Sequence, residues 1–261
     1  MFLALWAYRG FVLSSIRNEF IARFSRSRLG GFWMIIHPLA QVAIFALVLS
    51  NVLAAKLPGI ASQHAYPLYL MAGTLAWNLF SEIVGRCLNL FIEHGNLLKK
   101  IKFPRIALPA IAVGICLTNN IFLFLSVLGV FAALGQPPGL EALWILLLMI
   151  PLVFLATGLG LILGTLNVFF RDIGQVVPVI LQVLFWFTPI VYPMATIPGR
   201  YQAWMTWSPV YSLVHAYQEV LVYKATPDLQ AMAWTLGLGG ILLLVGLILF
   251  RRAGAELVDV L

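Results

Sequence analysis

Apolar positions in this chain gather into long runs, and polar positions into short breaks that are either basic or rich in proline and aromatic residues. The runs fall at 31–54, 66–91, 106–134, 142–168, 174–190 and 228–250. Helices of such lengths, rising about 1.5 Å per residue, suit a hydrocarbon layer of roughly 30 Å, so the pattern predicts six membrane spans. Ahead of them, 3–28 places Leu13, Ile16, Phe20 and Phe24 at helical spacing, with Ser15, Asn18, Glu19, Ser25 and Arg26 on the opposite side. This predicts an amphipathic helix in the membrane interface, or at its simplest a flank that sets topology. Between the second and third runs, 93–105 sets Leu97, Leu98 and Ile101 among Lys99, Lys100, Lys102 and Arg105. A short amphipathic helix stopped by Pro104 fits that pattern.

The stretch 163–194 organises the rest. Arg171 and Asp172 form a short charged turn between the fourth and fifth runs, which reads as a helical hairpin. The fifth run then meets Thr188-Pro189, Tyr192-Pro193 and Pro198, and each proline removes a donor and blocks helix continuation. From 191 to 226 aromatic residues and prolines dominate, and no piece is long and apolar enough to cross. Two short re-entrant or interfacial helices are predicted there. Within the fourth run Gly160 and Gly164, beside Gly158, have a spacing that permits close helix contact. Within the second, Glu82 and Arg86 are one helical turn apart and can neutralise each other, as a structural pair or as part of a transport path.

Composition agrees with the pattern: 62% of the 261 residues are hydrophobic and 10% charged, and the mean hydropathy is +0.99. The expected fold class is an all-α integral membrane protein. Cys87 and Cys116 both lie inside apolar runs, which gives no disulfide framework. No cleaved signal peptide is expected, since the basic residues precede the first long run without a short apolar core and cleavage site. The net charge of +7 reads as topogenic flanks meeting anionic lipid, not as nucleic-acid binding. Arg9, Arg17, Arg23, Arg26, Arg28, Lys99, Lys100, Lys102, Arg105, Arg171, Arg251 and Arg252 fall on one side of a six-span layout, against Lys56, Arg200 and Lys224 on the other. The basic side is predicted to be cytoplasmic, with both termini on it. There is no phosphate-binding G-x-x-x-x-G-K-[ST] loop and no series of buried acids or histidines for a proton relay. Energy for transport must come from a partner, or flow is passive; a membrane scaffold with no conduit is the rival class.

The runs LGTLNVFFRDI and QVLFWFTPIVYP, with RSRLGGFW (26–33) and KKIKFPR (99–105), resemble the membrane subunit of ABC-2 type polysaccharide exporters, especially O-antigen export permeases. Related permeases export teichoic acids or capsule, and others of the ABC-2 type carry lipids or drugs. The resemblance implies a homodimer in the bacterial inner membrane, working with two nucleotide-binding ATPase subunits that carry the ATP and Mg. The chain itself would be a permease and not an enzyme, with no cofactor or metal. Its cargo would be a polysaccharide on a polyprenyl pyrophosphate lipid. The segment 93–105, through Leu97, Leu98, Lys99, Lys100, Ile101, Lys102 and Arg105, would be the coupling helix on the ATPase. Phe169, Phe170, Phe185, Trp186, Phe187 and Tyr192 would supply platforms for the apolar faces of sugar rings. Arg23, Arg26 and Arg28 would meet pyrophosphate, or equally anionic phospholipid. The segment 191–226 would form the external gate.

Overall fold

The computed structural model describes residues 6, 8–24, 30–33, 36, 39–40, 65–95, 106–135 and 137–253. Among these, every regular element is helical: α1 (Arg9–Phe24), α2 (Ala65–Glu93), α3 (Ala107–Ala133), α4 (Trp144–Phe169), α5 (Ile173–Phe187), α6 (Gly199–Thr206), α7 (Pro209–Leu221) and α8 (Leu229–Ala253), with short 3-10 turns at Gly30–Phe32, Leu140–Leu143 and Met194–Thr196. Ala107–Ala133, Leu140–Phe169 and Leu229–Ala253 are long and apolar enough to cross a membrane. The run at 31–54 and the segment 96–105 lie largely or wholly outside the described residues.

The bundle is built around α2, most of whose residues are buried, from Tyr66 at one end to Phe91 at the other. Its tightest neighbour is α4, and glycine spacing is the reason. A Cβ on Gly160 would stand 2.6 Å from that of Cys87, and one on Gly164 would strike the Cys87 carbonyl. Half a turn before Gly160, Gly158 turns to α8, where a side chain would meet the backbone of Leu243, while a Cβ on Gly239 would lie 2.8 Å from the Leu155 nitrogen. Where the surroundings are as apolar as the helix, association depends on such close backbone approach. Cys87 and Cys116 are both buried and free.

α1 presents its predicted apolar face in part: Ile16 packs into the notch left by Gly114 of α3 and Phe20 is partly buried, whereas Leu13 is exposed. Glu19, on the side predicted to be polar, adds an ion pair to α2. α5 breaks where the prolines predict: it ends at Phe187, just before Thr188-Pro189, although the apolar run continues to 190. Thr188 is extended (φ −86°, ψ 129°), the residue before a proline being pushed out of the helical region.

Candidate functional site

The break after α5 is built, not merely allowed. Chain that leaves a helix carries backbone carbonyls with no helical partner, which need donors when buried, and here the donors come from two other helices. Tyr66 Oη of α2 donates to the Val191 carbonyl. The Pro189 carbonyl accepts from Tyr69 Oη at 3.1 Å and from Gln218 Nε2 of α7 at 3.2 Å. Thr188, Ile190 and Val191 are buried, as are Tyr66, Tyr69 and Gln218. Gly73 leaves the room, since a Cβ there would stand 2.8 Å from Gln218 Nε2 and 3.2 Å from the Ile190 side chain.

Beyond the break the chain turns through Met194–Thr196 into α6 and α7. Gln202 Nε2 donates to the Ile197 carbonyl at 2.8 Å. α7 begins with Ser208 as N-cap and Pro209 inside the first turn, the residue types that satisfy and pre-set a helix start. It ends at Leu221, and the turn after it passes through Lys224, which adopts φ 54°, with Ala225 N–H bonding back to the Glu219 carbonyl at 3.1 Å. Lys224 Nζ also donates to the Pro137 carbonyl at 3.4 Å, tying this end of α7 to the turn between α3 and α4.

Between α5, the break and α6 lies an open cavity of about 970 Å³, lined by Phe187, Thr188, Tyr192, Arg200, Tyr201, Trp204 and Tyr211 among others. Trp204 and Phe187 are strongly exposed, at 82% and 64%, and Arg200 stacks on the Tyr201 ring at 4.6 Å. Tyr192 Oη donates to the Trp186 carbonyl at 2.6 Å, holding the rim against the last turn of α5. Burial pushes the Tyr211 phenol up to about 12, with the Glu219 carboxylate adding to the effect. This wall therefore offers aromatic faces and neutral hydroxyls, with Arg200 as the cation beside them. On the other side of α7 a smaller pocket of about 280 Å³ holds Tyr211, His215, Glu219 and Asp228, with His215 and Glu219 at 3.5 Å.

The six aromatic residues predicted for a sugar path are not gathered in one place. Phe187 and Tyr192 line the cavity, while Trp186 is exposed outside its lining. Phe169 and Phe170 are exposed beside the Arg171–Asp172 turn, at the opposite end of α5, about 22 Å away at 1.5 Å per residue. Phe185 is buried, edge-on to Trp77 at 5.6 Å. Arg171 and Asp172 are exposed, and Val176 N–H bonds the Asp172 carbonyl at 2.9 Å as α5 begins. Glu82 and Arg86 pair at 3.2 Å, but in a larger set: Arg86 also bonds Glu19 at 2.9 Å, and Asn119 Nδ2 of α3 donates to Glu82 at 2.6 Å. This network joins α1, α2 and α3. Leu97, Leu98, Lys99, Lys100, Ile101, Lys102, Arg105, Arg26, Arg28 and the side chain of Arg23 lie outside the described residues.

Sequence reasoning passed over Tyr66, Tyr69, Gln218 and Asn167. The last two had a signal: a lone amide inside an apolar helix needs a partner, and each has found a carbonyl on another element.

The sequence is similar to those of known export and transport proteins. The chain is 29% identical over 231 residues to the O-antigen export system permease protein RfbA of Myxococcus xanthus, covering 87% of this chain and 86% of that one. It is 27% identical over 246 residues to RfbA of Klebsiella pneumoniae, covering 92% and 90%. To the polysialic acid transport protein KpsM of Escherichia coli it is 23% identical over 240 residues, 90% of each chain. The family model described as ABC-2 type transporter matches residues 11–222, from the first turn of α1 to the end of α7; with four-fifths of its length inside that match, the chain belongs to the ABC-2 type transporter family.

Proposed function

We propose that this chain is the transmembrane subunit of an ATP-driven exporter that moves a polyprenyl-pyrophosphate-linked, O-antigen-like polysaccharide out of the cytoplasm. The observation that carries the reading is the cavity at the end of α5, with ring faces of Phe187, Tyr192, Tyr201 and Trp204 at its wall. Sugar rings present apolar C–H faces with polar rims, and aromatic platforms hold them by contact area without fixed charges that would resist release. The names of the relatives, O-antigen export and polysialic acid transport, point to the same class of cargo.

In this reading the chain crosses the inner membrane six times with both termini cytoplasmic, and 191–226 is the outer gate. Two copies form the conduit. α5 supports that arrangement: Val176, Val179, Ile180 and Val183 make an exposed apolar stripe leading to the cavity mouth, so a second copy would close an open groove into a channel. The segment 93–105 docks on a separate ATPase subunit, which holds the ATP and Mg and supplies the hydrolysis; this chain catalyses nothing. Arg23, Arg26 and Arg28 receive the lipid pyrophosphate.

The test is deletion followed by analysis of polymer on both sides of the membrane. Loss of surface polysaccharide with lipid-linked polymer accumulating inside is the expected result. Normal surface polymer refutes the assignment.

A further inference from the structure

α5 touches the bundle sparingly along its length, burying only Val177 and Phe185, yet both of its ends are tied to α2, one directly through the break and the other through α4. At the break end, Tyr66 and Tyr69 of α2 hold the Val191 and Pro189 carbonyls. At the turn end, Asn167 of α4 is interposed between α2 and α5. Its Nδ2 donates to the Leu88 carbonyl of α2 at 3.0 Å, and Gly174 of α5 sits so close that a Cβ would stand 2.9 Å from its Oδ1. The amide oxygens of Asn167 and Gln218 are buried without hydrogen-bond partners. An unpaired buried acceptor costs stability, so these amides are poor glue; what they do is fix position.

We infer that α2 is a transmission rod for α5: it holds the break directly and meets the other end of the helix through Asn167 of α4, and a displacement of its C-terminal end is delivered to the break through Tyr66, Tyr69 and the Gln218 clamp. α2 ends at Glu93, at the start of the segment proposed to meet the ATPase, so the rod rests on the ATP-driven reading. Tyr69, Gln218 and Asn167 are then positioning residues. None needs to touch cargo; each keeps the aromatic wall in register with the turn end about 22 Å away.

The experiment uses the chain assembled with its ATPase in lipid nanodiscs, and reads hydrogen exchange of the peptide 188–193 with and without vanadate-trapped nucleotide. The wild-type protein is expected to change its exchange rate on trapping. Asn167→Ala is expected to shrink that change about five- to tenfold, the worth of one buried hydrogen bond, and Gly174→Ala, whose methyl would push α5 off Asn167, to shrink it as well, while ATP hydrolysis continues. Tyr69→Phe and Gly73→Ala are expected to do the same from the break end and to lower polymer exported per ATP consumed. If the variants keep the full nucleotide-dependent change, the rod is overturned and the ATP-driven reading stands. If the wild-type protein shows no change, the rod falls, and the ATP-driven reading falls with it only if no polymer is exported on ATP hydrolysis. Tyr69→Phe removes a single oxygen, so should the other variants fail to assemble its result decides alone.

Discussion

α2 and α5 read alike as apolar runs, yet one is the axis of the bundle and the other lies on its flank. α2 buries Phe80, Phe91, Leu79 and Ile83 almost completely, while α5 leaves Val179, Ile180 and Val183 more than half exposed. Hydropathy does not foretell which is buried, since the less apolar of the two forms the axis, protein and lipid neighbours being equally apolar. What separates them is what faces them. α2 meets glycines at Gly160 and Gly164 and amides at Asn120 and Asn167, and Asn120 Nδ2 donates to the Leu75 carbonyl at 3.0 Å. α5 meets such groups only at its ends. The comparison breaks most sharply at Gly164→Leu, which would drive a side chain into the Cys87 carbonyl and part α2 from α4. A loss of about 3 kcal/mol is expected, at the upper end for overpacking, read as a lowered melting temperature in detergent with export abolished.

Next in size is the polar network on the opposite side of α2. Arg86→Met leaves the Glu19 and Glu82 carboxylates without their shared cation. All three side chains are partly exposed, at 28%, 44% and 30%, so the cost is held to about 1–2 kcal/mol. Rescue by a second change, Glu19→Gln, which removes one of the two stranded charges, is the check; stability unmoved by Arg86→Met would exclude the network as a clamp on α1. Gln218→Leu is expected to be milder, about 1 kcal/mol, since it removes an unpaired amide oxygen along with the bond to Pro189. Export should fall further than stability does, which measuring surface polymer against protein abundance will separate.

These sites also mark how far the residues could be read without coordinates. The helical character of the chain and the interruption at Thr188-Pro189 follow from local chemistry: apolar length in one case, a missing donor and a restricted preceding residue in the other. Helices at Ala107–Ala133 and Leu229–Ala253 accordingly lie within a few residues of the runs at 106–134 and 228–250. The two short helices α6 and α7 occupy the proline-aromatic stretch for the same reason. The clamps were out of reach because they are non-local: Tyr69 and Pro189 are 120 positions apart, and no spacing rule joins them. A tyrosine near the end of an apolar run looks like an interfacial aromatic whether or not its hydroxyl grips a carbonyl. Likewise Phe185, Trp186 and Phe187 are one aromatic run in sequence, and only helix packing sends Phe185 to Trp77 and leaves the other two outside.

The smallest stability effect is predicted on the exposed stripe of α5, where it sharpens the comparison most. Val179 is 59% exposed, and truncating it to alanine opens no cavity within the chain, so Val179→Ala should change stability by under about 0.5 kcal/mol. The same position carries weight only if a second copy covers it. Val179→Trp adds bulk that lipid accommodates but a packed helix face does not. The expected outcome is an unchanged melting temperature for the subunit together with at least a several-fold drop in the dimer fraction, read by crosslinking in native membranes. A dimer fraction equal to that of the unsubstituted chain would leave the stripe facing lipid and move the contact between copies to another face. An equal fall in melting temperature and dimer fraction would mean that α5 is held by its own bundle, contrary to the two-ended attachment from which its separate role was deduced.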